Sequence, residues 1–279
     1  MSLAKQAEYD RNDPFPVEVL SQLSSKFACY EEAIQNPRKD VIFLTKTFQS
    51  EFHQKALRLR EDFCGTAAIS REFIRSDFER FAVGVDIDSR AVAWCVQHGL
   101  SSLHSGSDRL ELVVADCREY QDAKFYDIIS ANNYSLFLLT SRMDLVQYLR
   151  RVKQCLDPSH GMFICDLTGG SDCFIKRKVK RQCGNLAYIW EQDNYNFVDA
   201  SWQCALSFLL RDGSLLKHCF KYTWRLWTMA EVMDALYEVG FSKVRIWFSD
   251  LDEAEELVYE ETTNIPGWVK SWNAIIVAV

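Results

Sequence analysis

Nowhere in the 279 residues does an apolar run reach the roughly eighteen residues that a membrane-spanning helix needs. The opening stretch MSLAKQAEYDRNDPFP lacks the apolar core of a secretory leader. A cytoplasmic protein is therefore expected, with the nucleus as the alternative, and no membrane partner. Positive charge is in deficit. The chain carries 32 Lys and Arg against 39 Asp and Glu, a net charge of −7, which disfavours broad attraction to a phosphate backbone. Nucleic acid is not an expected partner. The ten cysteines include no C-x-x-C and no paired Cys/His spacing, so neither a metal site nor a secreted disulfide framework is expected, and a reducing compartment suits them. Internal repeats and low-complexity tracts are absent. What remains, 48% hydrophobic and 25% charged residues, is the balance of a globular protein with a sizeable core.

Residues 17–55 space their apolar side chains three and four apart, which predicts helices broken at NPRKD. From 56 to 170 the texture changes. Strands are predicted at ALRLR (56–60), FAVGVD (81–86), LELVVAD (110–116), FYDIIS (125–130) and GMFICDL (161–167), with helices near 67–76, 88–98 and 143–156. Strands that alternate with helices indicate βαβ units and a parallel sheet with helices on both faces. After Gly170 the pattern turns antiparallel. KRKVKR (176–181) precedes apolar runs that flank a D-G-S turn at 212–214, a hairpin signature. TMAEVMDALYEVGF then begins at a Thr cap and stops at Gly240, and KVRIWFSD and WNAIIVAV follow, with the acidic DEAEELVYEE between them. The expectation is one domain over 1–279: a helical cap (1–55), a ligand-binding core (56–170), an antiparallel insertion or lid (171–223), and a closing helix with strands (224–279).

The stretch LRLREDFCGTAAISRE places two carboxylates and a tight turn between the first strand and its helix. In an open α/β sheet, ligands bind beyond the carboxyl ends of the strands. Gly65 permits a sharp turn there, Thr66 and Ala67 keep its wall thin, and free N–H groups favour an anionic or carboxyl-bearing ligand. Glu61 offers a carboxylate to an ammonium or hydroxyl. Asp86, ending the second strand, is placed to take both hydroxyls of a ribose. Asp116, ending the third, is placed to accept from the exocyclic amine of adenine. Three acidic strand ends in succession make a pocket for a nucleoside that also carries a cation.

These are the needs of S-adenosylmethionine, and the chain resembles the class I methyltransferases that use it. ALRLREDFCGTAAIS resembles that family's first motif, VGVDID its ribose motif, VVADC its adenine motif, and FYDIISANNYSLFLL the fourth motif that lines the transfer site. Within the class, LREDFCGTA, preceded by YEEAIQNP and followed by YTWRLW, resembles a subgroup of bacterial and plant enzymes. The resemblance covers about residues 56–170. It implies a Rossmann-like, doubly wound, mostly parallel seven-stranded sheet with an antiparallel last strand. It implies S-adenosylmethionine as cofactor, with S-adenosylhomocysteine as product. It assigns cofactor binding to Arg60, Glu61, Phe63, Cys64, Gly65, Thr66, Ala67, Asp86, Ile87, Asp116, Cys117 and Asn132, and places Asn133 and Tyr134 at the transfer site. The chain departs from the family at two of the turn's three usual glycines, where Phe63 and Ala67 stand.

Each assignment has a plainer rival. Asp86 and Asp116 also suit helix capping. Asn132, Asn133 and Tyr134 also suit a polar turn, and Arg60 a charged strand position rather than a grip on the cofactor carboxylate. Tyr30, Tyr195, Trp224 and Arg225 are candidates for contact with substrate, or simply packing and surface residues of the cap and the insertion. An aromatic wall would suit a cationic or planar acceptor. KRKVKR is a solvated face, a localisation signal or a phosphate contact. The cysteines read as small fillers.

The chemistry sets one further expectation. A neutral amine acceptor needs no dedicated base, whereas an oxygen acceptor does. The five histidines, at 53, 98, 104, 160 and 218, fall on no expected strand end, which favours nitrogen. A helical cap and an insertion enclose a small-molecule substrate better than a nucleic acid, with a protein side chain as the lesser alternative. Two rivals stand outside methyl transfer. A nicotinamide-dependent oxidoreductase expects G-x-G-x-x-G, which DFCGTAAI fails at two glycines. A non-catalytic scaffold on the same fold would be best supported by Phe63.

Overall fold

The structure, a computed structural model, describes residues 26–103, 106–250 and 259–279. Residues 17–25 of the first expected helix, His104 and residues 252–258 of the acidic segment lie outside the described residues. The chain divides into two compact units, one of residues 26–36 with Phe174–Arg225 and the other of Pro37–Cys173 with Leu226–Val279. The segment expected as a helical cap contributes to both.

The larger unit is built on an eight-stranded sheet. Its strands are β1 (Arg58–Asp62), β2 (Phe81–Asp86), β3 (Leu110–Val114), β4 (Ile128–Ala131), β5 (Met162–Gly169), β10 (Val244–Asp250), β11 (Glu260–Thr262) and β12 (Trp272–Ala278), in the order β11-β10-β12-β5-β4-β1-β2-β3. β1 to β5 are mutually parallel, and β12 runs antiparallel to both β5 and β10. The expected seven strands are present, and the three-residue β11 extends one edge. The strand order reverses at β1, flanked by β2 and β4, so this is the topological switch point.

Strand alternation divides β1 between two cores. Leu59 and Glu61 face one side. Leu59 packs there with Val41, Leu44 and Phe48 of α1 (Pro37–Phe52) and with Ile69, Phe73 and Ile74 of α2 (Ala68–Arg75), over Ile128, Ile164 and Val277. Arg60 and Asp62 face the other side, where α4 (Arg142–Cys155) buries Tyr148, Leu149 and Val152. Local chemistry sets the helix ends. Ser141 caps α4 by accepting from the Asp144 N–H, Asp88 caps α3 (Ser89–Trp94) through the Arg90 N–H, and Thr228 with Glu231 forms a capping box on α5 (Met229–Glu238).

The smaller unit is a four-stranded antiparallel sheet in the order β6 (Arg177–Cys183), β7 (Leu186–Asn196), β8 (Ser201–Leu209) and β9 (Leu215–Arg225). The D-G-S hairpin joins β8 to β9. A second hairpin, turned by Gly184 and Asn185, joins β6 to β7. Helical residues 26–33 pack Cys29 and Tyr30 against Leu186, Leu206, Phe208 and Phe220. The basic run at 176–181 forms edge strand β6, where Lys176 pairs with Asp193 and Lys178 with Glu191. Charges of this kind protect an edge from further pairing. Among the described residues no helix is long and apolar enough to cross a membrane.

Candidate functional site

The turn between β1 and α2 has an uncommon backbone. Phe63, Gly65 and Ala67 have φ of 56°, 54° and 54°. A left-handed conformation is thus found at all three positions where the resemblance expects glycine, although two side chains resist it at a cost of about 1–2 kcal/mol each. Local contacts hold the shape. The Phe63 ring lies 5.5 Å from that of Tyr148, and its N–H donates to Cys117 Sγ at 3.3 Å. The Cys64 N–H donates to the Val85 carbonyl, tying the turn to β2, and the Ala67 N–H closes on the Cys64 carbonyl. Gly84 on β2 makes room for this packing. A Cβ there would stand 3.0 Å from Cys64 Sγ and 3.2 Å from Ala67 Cβ. A Cβ on Gly65, by contrast, would meet nothing within 4 Å, so the turn presents an open backbone cradle on that side.

Two carboxylates anchor this turn. Glu61 Oε2 accepts from the Ser70 N–H at 2.7 Å and from Ser70 Oγ at 2.5 Å, and burial pushes its carboxyl up to about 7. Asp86 Oδ2 accepts from the Gly65 N–H at 2.6 Å, its Oδ1 from the Asp88 N–H at 2.7 Å, and burial raises it to about 6. Asp86 does not cap the next helix, since Asp88 does. Ile87 follows it, half-buried, while Thr66 and Cys64 are buried in the turn and Cys117 beneath it.

Two expected cofactor contacts carry ion pairs of their own. Arg60 is fully buried on the face of β1 opposite Glu61, with Nε and Nη2 each 2.8 Å from an Asp62 oxygen, Tyr148 donating to the same carboxylate, and the Tyr120 and Tyr126 rings beside it. In the ligand-free chain Arg60 thus has the Asp62 carboxylate as its partner, and its Nη1 is buried without a hydrogen-bond partner. Asp116 is half-buried. Its oxygens accept from the Arg118 guanidinium and backbone N–H, the guanidinium also reaches Asp144, and together the Arg118 bonds outweigh burial and hold the carboxyl below its usual range.

At the end of β4 a second strained turn appears. Asn133 and Tyr134 have φ of 60° and 58°. The carboxylate of Asp166 on β5 clamps both, accepting from the Asn133 N–H at 3.0 Å and from the Tyr134 N–H at 2.7 Å. The Tyr134 hydroxyl donates to Asn273 Oδ1 on β12 at 2.7 Å. Asn132 buries its Nδ2 without a hydrogen-bond partner. Burial pushes Asp166 up to about 7. It also raises Asp40, in the first turn of α1, to about 6. Sequence reasoning missed Asp166, Asp40, Asn273 and Gly84. A strand-end acid is visible in GMFICDL, but its partners lie 33 positions away and had no spacing to reveal them.

Tyr30, Tyr195, Trp224 and Arg225 all belong to the smaller unit. There Tyr30 packs on Phe220 at 5.0 Å, Tyr195 on Phe174 and Phe197 at 4.8 Å each, and Trp224 stacks on Tyr222 at 4.3 Å. Arg225 is half-buried beside Trp224 in sequence. Among the histidines, His160 sits between Asp127 and Asp157, His218 pairs with Glu191, and His98 stacks on Trp94.

No family model matches the chain, and no curated protein sequence matches it. Solved structures do. One is an S-adenosylmethionine-dependent methyltransferase from Clostridium acetobutylicum, 16% identical, with 90% of this chain and 97% of that chain covered at a TM-score of 0.66. This chain has the methyltransferase fold. A second is CalS10 from Micromonospora echinaspora, an amino pentose methyltransferase solved with its S-adenosylmethionine, 12% identical over 96% and 98% of the two chains at a TM-score of 0.61. A third is the sugar N-methyltransferase KedS8 from Streptoalloteichus, 12% identical over 90% of each chain at a TM-score of 0.60.

Proposed function

We propose that the protein is an S-adenosylmethionine-dependent methyltransferase that acts on nitrogen in a small molecule. One observation carries the reading. At the switch point of a methyltransferase fold, the 63–67 turn has a left-handed backbone without its glycines, opens Gly65 to a ligand, and is clamped by a strand-end Asp86. In this proposal the backbone of Phe63, Cys64, Gly65, Thr66 and Ala67 cradles the amino-acid end of the cofactor, backed by Glu61. Asp86 and Ile87 take the ribose, Asp116 and Cys117 border the adenine, and Asn132, Asn133 and Tyr134 lie toward the transfer point. The bound cofactor supplies an activated methyl group, so these residues need only align acceptor and methyl and exclude water. The absence of a histidine from the strand ends among the described residues and the N-methyltransferases among the similar structures support nitrogen. The antiparallel β12 argues against a nicotinamide enzyme. The left-handed turn geometry argues against Phe63 as a sign of lost binding. A cytoplasmic location is proposed from the cysteine spacing of the sequence, which shows no secreted disulfide framework.

The test is transfer of label from methyl-tritiated S-adenosylmethionine to matched panels of small amines and alcohols. Label on amines supports the reading. Label on alcohols alone overturns the nitrogen assignment. Cofactor binding without label on either panel favours the scaffold.

A further inference from the structure

The Asn133–Tyr134 turn is held by a carboxylate that the cofactor motifs do not include, and that carboxylate has company. Register places Glu61, Ser130 and Ile164 side by side across β1, β4 and β5, so Asp166, two residues beyond Ile164, shares their face. Asp40, reaching in from α1, lies within electrostatic reach of both Glu61 and Asp166. Ser130 is 0% exposed, and its Oγ has no hydrogen-bond partner; the same is true of Asn132 Nδ2 at the end of the same strand. Buried polar atoms are seldom left unsatisfied without a reason. Burial is the main cause that raises the three carboxyls on this side, and at Glu61 the charge of Arg71 partly offsets it. Among the described residues, no ion pair engages Asp40 or Asp166.

Resting on the methyltransferase reading, we infer that Asp166, supported by Asp40, is the specificity-determining residue of the transfer site, selecting an acceptor that carries a protonated amine. Asp166 does two things at once. Its two oxygens fix the backbone of the strained 133–134 turn, and the carboxylate retains lone pairs for a cation at its front. A neutral hydroxyl gains little from that charge, whereas an ammonium in a low-dielectric site gains much. The bound ammonium then gives one proton to the Asp166 carboxylate, which frees the nitrogen lone pair to form the N–C bond as the methyl–sulfur bond of the cofactor breaks. The acceptor class is therefore amine-bearing: an amino sugar, a polyamine or an amino-acid derivative with a free amino group.

The test needs no knowledge of the acceptor. Sinefungin carries a protonated amine where S-adenosylmethionine carries its methyl group, and S-adenosylhomocysteine carries nothing there. Calorimetric titration of both into the full chain reads the field at the transfer point. The wild type is expected to bind sinefungin about tenfold or more tightly than S-adenosylhomocysteine. Asp166→Asn is expected to erase that preference while leaving S-adenosylhomocysteine affinity within about threefold. Asp40→Asn leaves the 133–134 hydrogen bonds intact and is expected to reduce the preference part-way, so the inference stays testable if Asp166→Asn misfolds. Equal affinities in the wild type, or a preference unchanged in both variants, overturns the inference. Failure of the wild type to bind either ligand overturns the methyltransferase reading itself, and the inference with it.

Discussion

Asp86→Asn separates stability from binding in opposite directions. In the free protein, burial raises Asp86 from 3.8 to about 6 despite the two backbone N–H groups it accepts from. The folded chain therefore holds this proton more tightly than the unfolded chain. The stabilising contribution is fully present below about pH 4 and is lost as pH rises through about 6. A displacement of about two pH units corresponds to about 3 kcal/mol at 1.36 kcal/mol each. Because the residue is only half-buried, about 2 kcal/mol is the share to expect. Asparagine is neutral at every pH and escapes this cost, but its single oxygen can accept from only one of the Gly65 and Asp88 N–H groups, which gives back about 1 kcal/mol. At pH 8 the variant should melt roughly 2–4 °C above the wild type, at about 2–4 °C per kcal/mol for a chain of this size and a net gain of about 1 kcal/mol, with the gain shrinking toward pH 4. Its response to cofactor should vanish, because an amide cannot accept from both ribose hydroxyls. The wild type, with S-adenosylmethionine at 100 times its dissociation constant, should gain about 2.7 kcal/mol. Thermal melts at pH 5 and 8, with and without S-adenosylmethionine, read both effects. A variant that melts lower at pH 8 and still responds to the cofactor would refute the reasoning.

Other outcomes follow from the same geometry. Gly65→Ala should cost about 1–2 kcal/mol, since its Cβ meets no atom but the backbone is left-handed, while cofactor affinity falls by far more; equal losses in the melt and the titration would contradict an open cradle. Asp62→Asn strips the buried Arg60 guanidinium of its counter-charge and should destabilise the fold by about 3–5 kcal/mol, and a neutral result in chemical denaturation would count against that buried pair. Thr228→Ala removes one half of a capping box and should cost about 1 kcal/mol, readable as a shift in denaturant midpoint without a change of slope. Across pH 5 to 8 the raised carboxyls of Asp40, Glu61, Asp86 and Asp166 should make the ligand-free protein lose stability as pH rises. A melting temperature that climbs over that window would contradict the burial of these groups.

How much of this was legible in the sequence depends on how local each feature is. The parallel core was, because strands and helices alternate in short segments with their own periodicity, and FAVGVD matches β2 at both ends. Asp86 was, because strand, acid and helix follow one another directly. The ion pair of Arg60 was not legible because alternation turns it to the opposite face, where its partner is two residues on and the supporting Tyr148 is 86 positions from that partner. Asp166 stayed hidden for the same reason, its bonds running 32 and 33 positions back along the chain. The β6–β7 hairpin was overlooked although Gly184–Asn185 is a two-residue turn signal, because the basic run before it drew the reading toward a solvated surface. The three-residue β11 offers too short a pattern to detect.

The central claim is a cofactor pocket at the 63–67 turn, and a calorimetric titration of the ligand-free wild type with S-adenosylhomocysteine, set beside one with NAD, tests it most directly. The account predicts one saturable site for S-adenosylhomocysteine and no heat of binding from NAD. Saturable binding of NAD, or no binding of S-adenosylhomocysteine, would contradict it.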